Sequence, residues 1–188
     1  MARAGLNQEI VEATAAQLAD QEGLAGLSLS AVARQLKVQP ASLYVHVANR
    51  PALLAALHRR ALGDLATRIS HEIAGRSGLE ALQGLAEAHR SLAQEHPGAW
   101  AALQQIADAD TATSKEAAEV VRLNMAVLRQ YDIAADETVH ATRVIGSAIN
   151  GFVSLELQHA FGHRDVDAEA SFQRMVSALD RALRSWPS

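Results

Sequence analysis

Covalent or metal chemistry needs nucleophiles or ligands that converge on one point, and this sequence offers few. It has no cysteine, which removes disulfides, thiolate nucleophiles and cysteine-held zinc together and agrees with a reducing compartment. Glu156, His159 and His163 have the three- and four-residue spacings that gather side chains on one helix face. Gly162 stands between the two histidines and suits a helix end, so no metal site is expected there. No serine, histidine and aspartate stand in a recognisable catalytic context, and no glycine-rich phosphate loop is present. Neither an enzyme nor a bound cofactor is expected.

A different chemistry is written in "VQPASLYVHVANRPALL", residues 38 to 54, which packs two prolines, two hydroxyls, a histidine and other polar groups without one acid. The net charge is −4, yet residues 27 to 60 carry Arg34, Lys37, Arg50, Arg59 and Arg60 and no Asp or Glu. Beyond residue 60 there are 17 acids against 11 bases. A positive N-terminal third on an acidic body implies that one end meets a polyanion while the rest stays clear of it.

Helices must position these groups. The 188 residues are rich in alanine and leucine, and aromatics are only 4%, which together predict an all-α fold with a sizeable core. A first helix is expected over about 7 to 22, with Ile10, Val11, Ala15, Leu18 and Ala19 on one face and Gly23 as its stop. Ser28 caps a short second helix ending near Leu36, and Pro40 opens a third over about 40 to 46. Leu43 and Val47 point inward there. A fourth helix runs from about 50 to 74.

Long helices follow. "HPG" at 96 to 98 ends one that contains Leu82, Leu85, Ala86, His89 and Leu92, and "DADTATS" at 108 to 114 reads as a loop. Thr113 and Glu116 have capping-box spacing, and further helices are expected over 136 to 161 and 168 to 184. The penultimate one is apolar on two sides, Val139, Gly146, Ile149, Val153 and Leu157 on one, Ala141, Ile145, Ala148, Phe152 and Leu155 on the other. A core needs only one such side, so the second suits a dimer. His140, Arg143 and Asn150 make this helix costly in a membrane, no signal peptide is read at the N-terminus, and a cytoplasmic location is expected.

Three short helices, the second and third joined by a tight turn and the third free of acids, describe a three-helix helix-turn-helix reader of the DNA major groove. "LSLSAVARQLKVQPASLYVHVANRPALLAAL" resembles the DNA-binding region of the TetR family of bacterial transcriptional repressors, over about residues 7 to 62. "HPGAW" and "INGFVSLEL" are similar to the C-terminal domain of a subgroup whose motif reads Trp-His-Gly; Ile149 and Asn150 replace the first two letters here. The resemblance implies an N-terminal DNA-binding domain over 1 to 50 and a ligand-binding and dimerisation domain over 51 to 188, with the fourth helix connecting them.

It also implies roles. Gln39, Pro40, Ala41 and Tyr44 approach bases, and Ser28, Ser42, His46 and Arg50 hold phosphates. Ser30 and Val45 fall where the family's namesake has an arginine and a tryptophan, so a different operator is expected. Lys37 takes a turn position usually given to glycine and is expected near left-handed φ. The implied function is a homodimeric repressor released from a double-stranded operator by a small, largely apolar effector. Polar residues on apolar faces are the candidate effector contacts: His89, Asn124 and Asn150, with Trp100, Gln104 and His140 nearby. The alternative is an all-α small-molecule-binding protein or enzyme whose N-terminal bundle is only structural; it predicts no operator-like enrichment of any duplex.

Overall fold

The computed structural model describes residues 5–187. Among them there is no strand, and the chain order is α1 (Gln8–Gly26), α2 (Leu29–Leu36), a 3₁₀ segment (Pro40–Leu43), α3 (Arg50–Ile73), α4 (Gly78–Glu95), α5 (Pro97–Leu103), α6 (Ala109–Ala112), α7 (Lys115–Leu128), α8 (Thr138–Leu157) and α9 (Ala168–Arg184). The expected all-α class is the one that forms. The chain divides into two compact units. One holds the residues through Gly63 with Glu95–Ala117, the other Asp64–Gln94 with the residues from Ala118 on.

In the first unit Val11, Ala15, Leu18 and Ala19 of α1 pack with Val32 and Ala33 of α2, Leu43, Val47, Leu53, Leu57 and Ala102 in one apolar cluster. Asn7 caps α1 by accepting from the Ile10 N–H at 2.9 Å. Gly23 takes φ 73° and breaks the helical path there, but helical turns resume to Gly26, four residues past the expected end. The α5 helix docks on α1 through a tight joint. Gly98 comes so close that a Cβ built on it would lie 2.3 Å from the Ala19 carbonyl carbon. Its N–H donates to the Asp20 carboxylate at 2.8 Å, and His96 Nδ1 lies 3.0 Å from the other Asp20 oxygen.

The second unit is tied by polar contacts inside an apolar bundle. Arg90 grips Glu156 with two hydrogen bonds of 2.8 and 2.6 Å, also reaches Glu169, and lies over the Phe172 ring at 4.5 Å. These partners raise its pKa, the Glu156 hydrogen bonds most, so it stays charged although buried. Tyr131 donates to Asp180 at 2.8 Å, and Arg184 holds the other oxygen of that carboxylate at 2.8 Å. Burial, and then Asp180, push the Tyr131 phenol well above its ordinary range.

Four local expectations are corrected. The third helix over 40 to 46 is instead the 3₁₀ segment Pro40–Leu43 followed by a turn, because a seven-residue stretch that opens with proline closes too few α-type bonds to hold. The stretch 108 to 114 is not all loop: Asp108 caps the single turn α6 by accepting from the Thr111 N–H at 2.8 Å. Ser114 rather than Thr113 caps α7, accepting from the Ala117 N–H at 3.2 Å, while the Thr113 hydroxyl donates back to Ala109. On α8 the buried stripe is Ala141, Ile145, Ile149 and Val153. It runs between the two apolar sides expected and so draws from both.

Candidate nucleic-acid interface

The exposed segment 39 to 46 is built by anchoring a few residues and leaving the rest outside. Ser28 caps α2, its hydroxyl accepting from the Ala31 N–H at 3.1 Å. The helix closes with Lys37 at φ 57°, the left-handed residue expected there, and with bonds from the Lys37 N–H to Arg34 O at 3.1 Å and from the Val38 N–H to Ala33 O at 3.0 Å. That pair of bonds is the Schellman closure that turns the chain sharply. Pro40 then starts the 3₁₀ turn, where its missing N–H costs nothing. Leu43 is fully buried and Val47 nearly so, and they hold the segment down.

With those two anchors in the core, Gln39, Pro40, Ala41, Ser42 and Tyr44 are exposed and His46 is half-buried. Tyr44 keeps 57% and Val45 85% of their surface in solvent, so neither serves as packing. The next helix is fixed from both ends of the motif. Asn49 accepts from the Ala52 N–H at 2.9 Å, and the exposed Arg50 donates from Nε to Leu27 O at 2.9 Å and from Nη2 to Leu24 O at 2.8 Å. Arg50 therefore braces the α1–α2 corner against the start of α3, a structural task its residue type did not announce. Arg59 turns to Thr111, donating at 3.2 Å.

The result is an outward ridge of small, aromatic and amide side chains with cations around it and no carboxylate between residues 27 and 60. Two family patterns match the chain: that of bacterial regulatory proteins of the tetR family over residues 10–57, and that of the tetracyclin repressor-like C-terminal domain over residues 82–179. The chain belongs to the TetR family. It is similar to the HTH-type transcriptional regulator YobS of Bacillus subtilis (strain 168), 35% identical over 161 residues that span 85% of this chain and 83% of that protein. It is likewise similar to the HTH-type transcriptional regulator Rv0681 of Mycobacterium tuberculosis, 32% identical over 94% of this chain and 81% of that one.

Solved structures agree on the fold. Mycobacterium smegmatis BioQ superposes with a TM-score of 0.75 at 22% identity, covering 97% of this chain and 100% of its own. A TetR variant from Acinetobacter baumannii AYE in complex with minocycline gives 0.71 at 25% identity, covering 97% and 99%. The chain is thus a TetR-family transcriptional regulator with a DNA-binding helix-turn-helix, not an enzyme. Among the described residues no helix is long and apolar enough to cross a membrane.

The structure separates the six candidate effector contacts. His89, Asn124, His140 and Asn150 belong to the second unit, Trp100 and Gln104 to the first. His89 and Trp100 are buried, Asn124 and Asn150 half-buried, Gln104 and His140 exposed. His89 Nδ1 lies 2.8 Å from Leu85 O, and burial pulls its pKa below the ordinary imidazole value, so the ring is neutral and Nδ1 donates. Asn124 donates to Val120 O at 2.8 Å and Asn150 to Gly146 O at 2.7 Å, each on its own helix. In the second unit an open cleft of about 370 Å³ has a different lining, with Glu72, Glu87, Glu169 and Phe172 among its walls. Of the rejected metal trio, Glu156 gives both oxygens to Arg90.

Proposed function

We propose that the chain is a homodimeric repressor that reads a double-stranded operator with residues 39 to 44, acts in the cytoplasm and is released by a small, largely apolar effector. The observation that carries this reading is the anchored, acid-free ridge. Leu43 and Val47 fix it, and Gln39, Pro40, Ala41 and Tyr44 stand outside where base edges and thymine methyls can meet them. Ser28, Ser42, His46 and Arg50 flank it as phosphate contacts. In this reading residues 1 to 50 are the DNA-binding domain and 51 to 188 the ligand-binding and dimerisation domain.

Dimerisation is supported by an uncovered stripe on α8. Val144 and Leu155 keep 44% and 46% of their surface exposed, and Ala148 and Gly151 lie between them at four- and three-residue intervals. Small residues in such a row let a second helix approach closely. Two linked reading segments gain by effective concentration what one small motif lacks. The effector is proposed to bind in the second unit, with the neutral His89 and the two asparagines, Asn124 and Asn150, as the first contacts to test. An effector lowers operator affinity only as far as it binds the released state better than the bound one.

The reading is tested by selecting genomic fragments on the purified protein and measuring affinity with and without Tyr44→Ala. Retained folding with lost affinity is expected, since Tyr44 keeps most of its surface in solvent. Equal affinity would overturn the assignment of the ridge.

A further inference from the structure

The turn that presents the reading segment holds a residue ill-suited to it. Lys37 sits at φ 57° and ψ 41°, where an L side chain crowds its own backbone and glycine is the easy occupant. The closure needs nothing from the side chain, because both of its hydrogen bonds run between backbone atoms. The Lys37 side chain is exposed, and no hydrogen bond or ion pair holds it among the described residues.

What the side chain has is position. Lys37 lines an open cleft of about 430 Å³ together with Gln39, Ser42, Leu6, Ile10 and Val38. Gln39 and Ser42 are polar residues of the reading segment itself. A flexible stem carrying a compact, rotatable charge suits a phosphate oxygen better than a base edge, which calls for fixed planar geometry.

We propose that Lys37 is a DNA-backbone contact, placed where glycine would fold more easily, and that it grips a phosphate flanking the segment entered by Gln39. The inference rests on the operator reading above and adds a residue to it. It predicts opposite signs for stability and binding at one position. This separates a contact residue from a merely structural one.

The test compares wild type, Lys37→Gly and Lys37→Gln by thermal melting and by affinity for a selected operator between about 50 and 200 mM salt. Lys37→Gly is expected to melt close to or above wild type, as left-handed strain is relieved. Its affinity falls several-fold, and the slope of log affinity against log salt becomes shallower by about 0.9 for each half-site. Lys37→Gln keeps the strain and loses the same slope. Both losses are uniform across operator sequences, because a phosphate carries no base information. Wild-type slopes in both variants overturn the proposal, as does a Lys37→Gly protein that melts far below wild type, for then the lysine serves the fold. A wild-type chain that binds no duplex refutes the operator reading instead.

Discussion

Gly98→Ala tests the joint between α1 and α5 at the level of single atoms. The new methyl would lie 2.3 Å from the Ala19 carbonyl carbon, 2.5 Å from the Asp20 nitrogen and 2.7 Å from the Ala19 Cβ, all well inside van der Waals contact and two of them against backbone. The α5 helix must back away by about an ångström, a distance that breaks the 2.8 Å bond from the Gly98 N–H to Asp20. Overpacking of this kind costs about 1–3 kcal/mol, and losing a hydrogen bond to a charged acceptor about 1.5–3 kcal/mol. Better helix propensity returns up to about 1 kcal/mol. The net is about 3 kcal/mol, which lowers the melting temperature of a protein this size by ~6–12 °C. Thermal unfolding followed by circular dichroism reads the shift, with Gly146→Ala, whose added methyl meets nothing within 4 Å, as the control expected to melt at or slightly above wild type. A Gly98→Ala protein that melts with the control would refute the close-contact reasoning.

Three further outcomes follow from individual contacts. Tyr131→Phe removes one buried 2.8 Å bond while Arg184 still holds Asp180, so chemical denaturation should show a loss of only about 1–2 kcal/mol; no loss would mean that the phenol contributes nothing. Buried neutral His89 takes up a proton far more readily unfolded than folded, so stability should decline as pH falls through the ordinary imidazole value of 6.5. A second decline should follow below about pH 4.5 as Glu169, held low by Arg90, and Asp180, held low by Arg184, lose their charge, and melting temperatures that stay level from pH 7 to 5 would contradict the first. Leu155→Glu puts a charge into the uncovered stripe of α8 and is expected to sediment as a folded monomer; an unchanged dimer would move the interface elsewhere.

Much of the reading unit is legible in the sequence because its signals are local. Ser28 as a cap, Gly23 and Lys37 at positive φ, Leu43 and Val47 as the inward pair and Pro40 as a starter all depend on neighbours a few residues away, and backbone sterics decide them. What the sequence hides depends on distant partners. "HPG" reads as a helix end, but the reason for its glycine is Ala19, far back along the chain. Arg90 lies on a helix already counted as apolar, and only the fold brings Glu156 and Glu169 to it. Arg50 reads as a phosphate contact alone, yet its Nε and Nη2 donate to two carbonyls of the α1–α2 corner.

The α8 helix shows a different limit. Its composition is apolar around most of its girth, so periodicity could not choose among nearly equivalent faces, and the packing of the second unit selected an intermediate one. The effector candidates met the same difficulty, since a polar residue on an apolar face is as easily satisfied by its own helix as by a bound molecule, which is what Asn124 and Asn150 show.

The most direct trial is to incubate the purified chain with fragmented genomic DNA at low salt, recover what is bound, and repeat with Tyr44→Ala. A short two-fold symmetric sequence enriched by wild type and absent with the variant is the expected result. Recovery of random fragments alone, or identical enrichment by both proteins, would contradict the claim that residues 39 to 44 read the groove.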